Sequence, residues 1–499
     1  MADVTSDLLF ASASQIAAAL RAGRVTSRGL VAGYLERIAA CERLNAVVTV
    51  DDDGARRCAA QRDDEQRAGQ RRGPLHGVPI TVKDCFATAG MRTTAGVPEL
   101  RDHVPSASAP AVQRLLDAGA VLLGKTNLPE GVSGQETANA LFGTTRNPWD
   151  ATRTTGGSSG GAAAALAAGL CALELGSDSG GSIRQPAAFC GVYGHFPTPR
   201  LVPLRGHLPS VPLDELGHLP DVMGVGPLAR SADDLALALD LLAGPDAPDA
   251  VATRFALPPP AHRAIGEYRV AAWVEHEAFP VDAAVRDGLE AAVEALRAAG
   301  ATVDTAARPA FDFVTAERVA FDLWVSTSAD DTSEEELARL RDVLVRRGDD
   351  DSREARRARA LTQPHARWLR VDAERRRLRR AWMAFFERFD VLLFPVAPVV
   401  AYPTYPEPDR VDEMEKRLAR TIDVNGRPRP YLDQIVWNTI VSSAGLPATA
   451  APVGLTSGGL PVGVQIVGSP YRDRTTIALA GHLAELLGGF RPPPGTGSA

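Results

Sequence analysis

Two clusters of glycine and serine lie close together in the sequence and hold most of its chemistry. They are Gly156-Gly157-Ser158-Ser159-Gly160-Gly161 and Ser177-Asp178-Ser179-Gly180-Gly181-Ser182, separated by a stretch containing AAAALAAGL. Glycine lets main chain approach main chain or substrate closely, and successive N–H groups in such turns make a nest for negative charge. A hydroxyl beside such a nest can attack a carbonyl while the nest holds the resulting oxyanion. A flexible linker would not carry an apolar helix, an Ile183-Arg184 step and a Pro186-Ala187 turn among its glycines. A phosphate cradle needs a lysine soon after its loop, and none stands between Thr155 and Thr198.

A serine nucleophile needs a base within hydrogen-bond reach. The nine histidines offer little. His195, the one histidine of this run, follows its last strand-like step and reads as a structural histidine. No nucleophile elbow followed by an Asp and a His is evident, and no HExxH or His/Cys pair suggests a metal. A lysine base is the remaining option. Lys83 ends the apolar run Val78 to Val82, which places it at the lip of a sheet. The competing fate is a solvated lysine closing a strand. Asp84, next in the chain, could orient or neutralise its neighbours.

The run from Thr155 to Thr198 resembles the amidase signature family, in GGSSGG, then G-S/T-D-x-G-G-S-I-R-x-P-A, then G-x-x-G. The resemblance extends from about Ser12 to Leu487 and is weakest between roughly Pro258 and Asp390. It implies that Ser182 is the acylating nucleophile, Lys83 the base, and Ser158 a bridging serine that follows a cis Gly157–Ser158 peptide. It also implies an oxyanion hole made by the N–H groups of Ser179, Gly180, Gly181 and Ser182. Val132, Gly134 and Gln135 would line the acyl pocket, and Ser159, Asp178 and Arg184 would brace the loop. The chemistry is coherent. An ordinary lysine titrates near 10.4, so Lys83 can act as a base only if burial lowers that value. Ser158 would pass the Ser182 proton to Lys83 and return it to the departing amine, which must be protonated to leave. One departure stands out. The family's G-x-K-P-T reads Gly194-His195-Phe196-Pro197-Thr198 here, so a phenylalanine replaces the lysine and alters the local charge balance.

Composition sets outer bounds. The chain has 499 residues, 45% of them hydrophobic and 23% charged, enough apolar material for a large core. A net charge of −7 gives no bulk attraction to nucleic acid. Cys41, Cys58, Cys85, Cys171 and Cys190 are scattered without CxxC spacing and read as free thiols in a reducing compartment. The first residues lack a signal-peptide pattern, and no apolar stretch approaches a membrane span. The expectation is a cytoplasmic protein without cofactor or metal, acting on a small-molecule amide and not on nucleic acid or membrane, with a homodimer left open.

The elements that must position these residues alternate in type. Helical spacing covers much of Ser12 to Arg67, Ala109 to Ala118, the segment after Ser231, Val281 to Ala299 and Arg474 to Leu487. Strand-like runs lie at Val78 to Val82, Ala120 to Leu123, Tyr268 to Val274 and Asp390 to Pro395, and Glu130 to Trp149 is loop-like. This alternation predicts an α/β sheet covered by helices on both faces. The resemblance implies the amidase signature fold: one domain over 1–490 with a central mixed sheet, a helical insertion near 313–386 that sets specificity, and a disordered tail at 491–499. Gly119 to Thr126 (GAVLLGKT) matches the nucleotide P-loop pattern, but the apolar strand lies inside the motif and a helix precedes it. Arg375-Arg376-Arg377-Leu378-Arg379-Arg380 reads as the solvated face of a helix with Leu378, Trp382 and Phe385 turned inward.

The resemblance implies two functions, and the P-loop pattern offers a third. The first is a standalone serine hydrolase of a small aryl or alkyl amide, ester or carbamate, of the aryl acylamidase or urethanase kind, with Phe142, Ile183, Phe321 and Trp324 hinting at an apolar pocket. The alternative is the A subunit of a glutamyl-tRNA amidotransferase, working in a multi-subunit complex. The third, ATP binding at Gly119 to Thr126, loses on context.

Overall fold

The computed structural model describes residues 6–208, 220–247, 249–329, 332–348, 350–405 and 414–496. Eleven strands join in one sheet: Val47–Val50 (β1), Pro79–Lys83 (β2), Val121–Thr126 (β3), Leu173–Asp178 (β4), Tyr193–Phe196 (β5), Gly224–Ala229 (β6), Arg269–Ala272 (β7), Thr302–Asp304 (β8), Val391–Pro395 (β9), Ala448–Leu455 (β10) and Pro461–Gly468 (β11). Their spatial order is β1-β3-β2-β4-β6-β5-β10-β11-β9-β7-β8. β2 runs parallel to both β3 and β4, and β7 parallel to both β9 and β8. The strands between β4 and β9 pair antiparallel, so the sheet is mixed. PITVK of β2, LELGSD of β4, VLLFP of β9 and PVGVQIVG of β11 are buried at every position. Strands covered on both faces read as near-continuous apolar runs, and a polar residue inside one must find an internal partner.

The second Gly/Ser cluster begins at the end of β4, and the first precedes the helix that leads into that strand. The first leads into Gly160–Ala167 (α1), whose eight residues are all buried. Its glycine and alanine side chains make it thin enough to pass within the core against β2, β4 and Arg184–Cys190 (α2). The second cluster turns from the end of β4 into α2. Packing a small-residue helix between the clusters therefore fixes both hydroxyl-bearing turns relative to the sheet.

The segment from 313 to 386 is helical: Phe313–Ser326 (α3), Glu334–Arg347 (α4), Arg353–Thr362 (α5) and His365–Phe386 (α6). Phe321, Val325, Leu340, Val343, Ala358 and Leu361 belong to a smaller apolar cluster that also takes in Val399, Ile422, Val424, Tyr431 and Leu432. α3 packs on α6 and on Val436–Ser443 (α7), whose polar residues face the second Gly/Ser cluster. In α6, Trp382 and Phe385 are buried and Leu378 partly so, while Arg376, Arg377 and Arg380 are exposed.

Two expectations shift. The strand read at Ala120 to Leu123 continues to Thr126, because Gly124 and Lys125 pair with Val50 and Thr49 of β1 and extend the ladder past the apolar residues. Residues 491–496 of the expected disordered tail are tied down. Pro493 is buried, the Arg37 guanidinium donates to the Thr496 carbonyl, and Phe490 stacks on Phe10 at 6.5 Å. Residues 497–499 lie outside the described residues. Among the described residues no helix is long and apolar enough to cross a membrane.

Candidate active site

Lys83 is the last residue of β2 and has no exposed surface. Its Nζ donates to Ser158 Oγ at 2.7 Å and to Ser177 Oγ at 3.1 Å. Burial lowers its pKa to about 8, against the opposing pull of Cys85, Asp178 and Glu174. An exposed lysine is almost wholly charged near neutrality, whereas desolvation of this kind makes the neutral amine accessible. Ser158 is also fully buried and follows a cis Gly157–Ser158 peptide. A Cβ at Gly157 would stand 2.5 Å from the Gly134 carbonyl oxygen, so only glycine lets this turn close on the 134–135 loop.

The second cluster is folded around Asp178. Its Oδ1 accepts from Gly181 N–H at 2.7 Å, and its Oδ2 from the N–H groups of Ile183 at 3.0 Å and Arg184 at 3.2 Å. The Arg184 guanidinium closes a bidentate pair with the same carboxylate at 2.9 and 2.8 Å. Burial pushes the Asp178 carboxyl up, but the Arg184 charge and these hydrogen bonds outweigh it and hold the group below the usual carboxylate range. Arg184 also donates to Gln465 Oε1, Ser442 Oγ and the Asn438 carbonyl. Phe196, which stands in place of the family's lysine, puts its ring 4.6 Å from this guanidinium. A cation is thus replaced by an aromatic face that a cation favours.

The Asp178 contact corrects one expectation. The resemblance implies four N–H groups facing an oxyanion, yet that of Gly181 is taken by Asp178 Oδ1. Among the described residues those of Ser179, Gly180 and Ser182 make no hydrogen bond. Gly181 has φ +111, and a Cβ there would lie 2.5 Å from Asn438 Nδ2, so the turn requires glycine. Ser182 is half-buried and open toward solvent. The structure ties its segment to the first cluster through main chain, with Ser159 N–H donating to the Ser182 carbonyl at 3.0 Å. Among the described residues no hydrogen bond links Ser158 Oγ to Ser182 Oγ. Such contacts commonly tighten only when substrate binds. Ser159 Oγ donates to the Ser177 carbonyl at 3.3 Å.

The 132–135 loop lies against Gly157 of the first cluster. Val132 has φ +64, Gly134 and Gln135 are buried, and Arg417 donates to Gln135 Oε1 and, at 2.9 Å, to the Ser133 carbonyl. Of the four apolar residues read as pocket candidates, Trp324 reaches the second cluster with a polar side-chain atom, its Nε1 donating to Ser179 Oγ at 3.2 Å. Ile183 is fully buried core, Phe321 lies under Arg353 and Arg356, and Phe142 under Arg92. Asp84 turns away from Lys83 to accept from Thr94 N–H and Oγ1. Lys125, the P-loop-like lysine, is buried against the Phe86 carbonyl and the hydroxyls of Thr88 and Thr93. His195 is held by Thr449 and Asp473, as expected of a structural histidine. Among the described residues no cluster of three His, Cys, Asp or Glu could hold a metal.

Sequence reasoning misses Ser177, His207, Arg417 and Asn438. Ser177 is in view only as part of the second cluster. His207 Nε2 lies 2.8 Å from Ser177 Oγ, but nothing in the sequence around His207 points to the end of β4.

The amidase family profile matches residues 29–477, which is most of the chain. The chain belongs to the amidase signature family. The chain is 34% identical over 490 residues to the A subunit of the glutamyl-tRNA(Gln) amidotransferase of Synechococcus sp. (strain CC9605), covering 92% of this chain and 93% of that one. A solved structure from a vestigial protein complex that bears on the origins of an s-triazine catabolic enzyme is 32% identical, with a TM-score of 0.80 over 97% of this chain and all of that chain. A bacterial aryl acylamidase is 26% identical, with a TM-score of 0.78 over 96% of each chain. The chain is therefore an amidase-family hydrolase acting on carbon–nitrogen bonds. The small-amide reading placed first on sequence is not the one these relatives favour. The amidotransferase reading has the stronger support.

Proposed function

We propose that the protein cleaves a carboxamide through an acyl-enzyme on Ser182 and serves as the amide-hydrolysing component of a glutamyl-tRNA amidotransferase-type complex. The near full-length likeness to such components carries the biological part of this proposal. The 2.7 Å contact of a buried Lys83 with Ser158 carries the chemical part. Neutral Lys83 takes the proton of Ser158 as Ser158 takes that of Ser182. Ser182 Oγ bonds to the carbonyl carbon, and the N–H groups of Ser179, Gly180 and Ser182 receive the oxyanion. Collapse breaks the C–N bond while the proton returns through Ser158 to the leaving nitrogen. Water then cleaves the ester by the same route. Each oxyanion donor in such a site contributes about 3 kcal/mol to the transition state.

One observation favours a standalone hydrolase of aryl or alkyl amides as the second function. Trp324 brings an indole onto Ser179, an aromatic wall suited to an apolar acyl or leaving group more than to glutamine. Ammonia release from glutamine and amine release from a panel of anilides, fatty amides and carbamates, measured on the isolated chain and on the complex it purifies with, separate the two. Glutamine hydrolysis that rises in the complex supports the amidotransferase function. Turnover of anilides by the lone chain, with glutamine inert in both preparations, sinks it in favour of the second.

A further inference from the structure

Lys83 has two hydroxyls in reach and, once neutral, one lone pair. Ser158 Oγ lies at 2.7 Å and Ser177 Oγ at 3.1 Å from Nζ. Each hydroxyl carries a single hydrogen. If both hydrogens pointed at Nζ they would compete for that lone pair, and every Ser177–Lys83 hydrogen bond would block the one that base catalysis needs. The Ser177 hydrogen therefore requires an acceptor of its own, and His207 Nε2 stands 2.8 Å from Ser177 Oγ. Among the described residues the one further neighbour of this hydroxyl is Cys85 Sγ at 3.9 Å, a weak acceptor.

The fold holds His207 in place for this contact. Ala87 N–H donates to the Gly206 carbonyl at 2.8 Å and Leu208 N–H to that of Cys85 at 2.7 Å, so the segment around His207 is clipped to the chain leaving β2. The imidazole lies edge-on to Phe86 at 5.4 Å and is buried. Burial first, and the Lys83 charge second, lower its pKa to about 3. Ser177 Oγ accepts from Lys83 Nζ, so its own hydrogen is assigned to His207 Nε2, with the ring hydrogen on Nδ1. A neutral ring of this tautomer takes the Ser177 hydrogen, and the Ser177 oxygen then accepts from Lys83.

We propose that His207 is a positioning residue that withholds the Ser177 hydrogen from Lys83 and so reserves the amine lone pair for Ser158. The proposal rests on the function above, with Lys83 as base for Ser182. The titratable groups bearing on Lys83 are Cys85, Asp178, Glu174 and His207.

The test is the rate at which a fluorophosphonate modifies Ser182 in the full chain, followed from pH 5.5 to 10. Its fluoride leaves without a proton, so the rate reports nucleophile activation alone. His207→Leu, without an acceptor, should slow labelling about tenfold, the scale of one competing hydrogen bond. Its acid limb should move to lower pH, because a Ser177 hydrogen donated to Nζ favours the neutral amine. His207→Gln, whose amide oxygen reaches where Nε2 stood, should restore the rate to within about threefold. The double variant His207→Leu/Ser177→Ala should react at the rate of Ser177→Ala alone, since no competing hydrogen remains. Should His207→Leu fail to fold by circular dichroism, His207→Asn, too short to reach Ser177, takes its place. Wild-type rate and pH midpoint in the apolar variant, equal loss in His207→Gln, or losses that multiply in the double variant would each overturn the proposal. A wild-type chain inert to the probe overturns the underlying function, and this proposal with it.

Discussion

The amine of Lys83 and the hydroxyl of Ser158 meet at 2.7 Å with no surface of either side chain open to solvent. Burial brings the lysine to about 8. Below that pH the ammonium has no lone pair for the Ser158 proton, and above it the amine does. kcat/KM for an amide should therefore climb with pH through about 8 and level off beyond it. A rate profile flat from pH 6 to 10 would contradict this.

Asp178 is the brace on which the second turn hangs. Asp178→Ala removes the partner of a guanidinium with no exposed surface and frees the amide hydrogens of Gly181, Ile183 and Arg184. Leaving a charge buried and unpaired costs about 3–5 kcal/mol. The urea midpoint should fall accordingly, and a variant as stable as wild type would show that Arg184 finds other anions.

Glu174, in β4, is fully buried with Thr126 and the Leu175 N–H on its oxygens. Burial raises its pKa from 4.5 to about 8 in the folded chain. The folded state thus binds more protons than the unfolded state between these values, and the stabilising contribution is full below 4.5 and lost as pH rises to about 8. Wild type should lose stability relative to Glu174→Gln across that window. Parallel stability curves for the two proteins, from chemical denaturation at each pH, would refute it.

Trp324 reaches Ser179 from the helical segment 313–386. Trp324→Ala should raise KM for aryl substrates about tenfold and change kcat/KM for a short aliphatic amide or glutamine by less than about threefold, since it removes an apolar wall and no reacting group. Equal losses on both would place the indole in the acylation machinery instead.

How much of this can be read in the sequence depends on how local the cause is. The nest, the small-residue helix and the lysine at a strand end are short-range patterns, and each appears where spacing puts it. The strand across Gly124 and Lys125 reads short because its continuation depends on β1, a partner that period counting does not include. The resemblance implies Gly181 as an oxyanion donor, and nothing in the sequence shows that Asp178 takes its N–H. His207 and Asn438 come from distant segments, and only packing brings them in. Phe142, Ile183 and Phe321 draw notice by apolarity, which core and pocket share.

The central claim is that Ser182 carries the acyl group. The chain, incubated with an amide it turns over, quenched in acid and mapped by peptide mass spectrometry, should carry the acyl mass on the peptide containing Ser182. Ser182→Ala should show neither adduct nor turnover. An adduct on another residue, or full turnover by Ser182→Ala, would contradict the account.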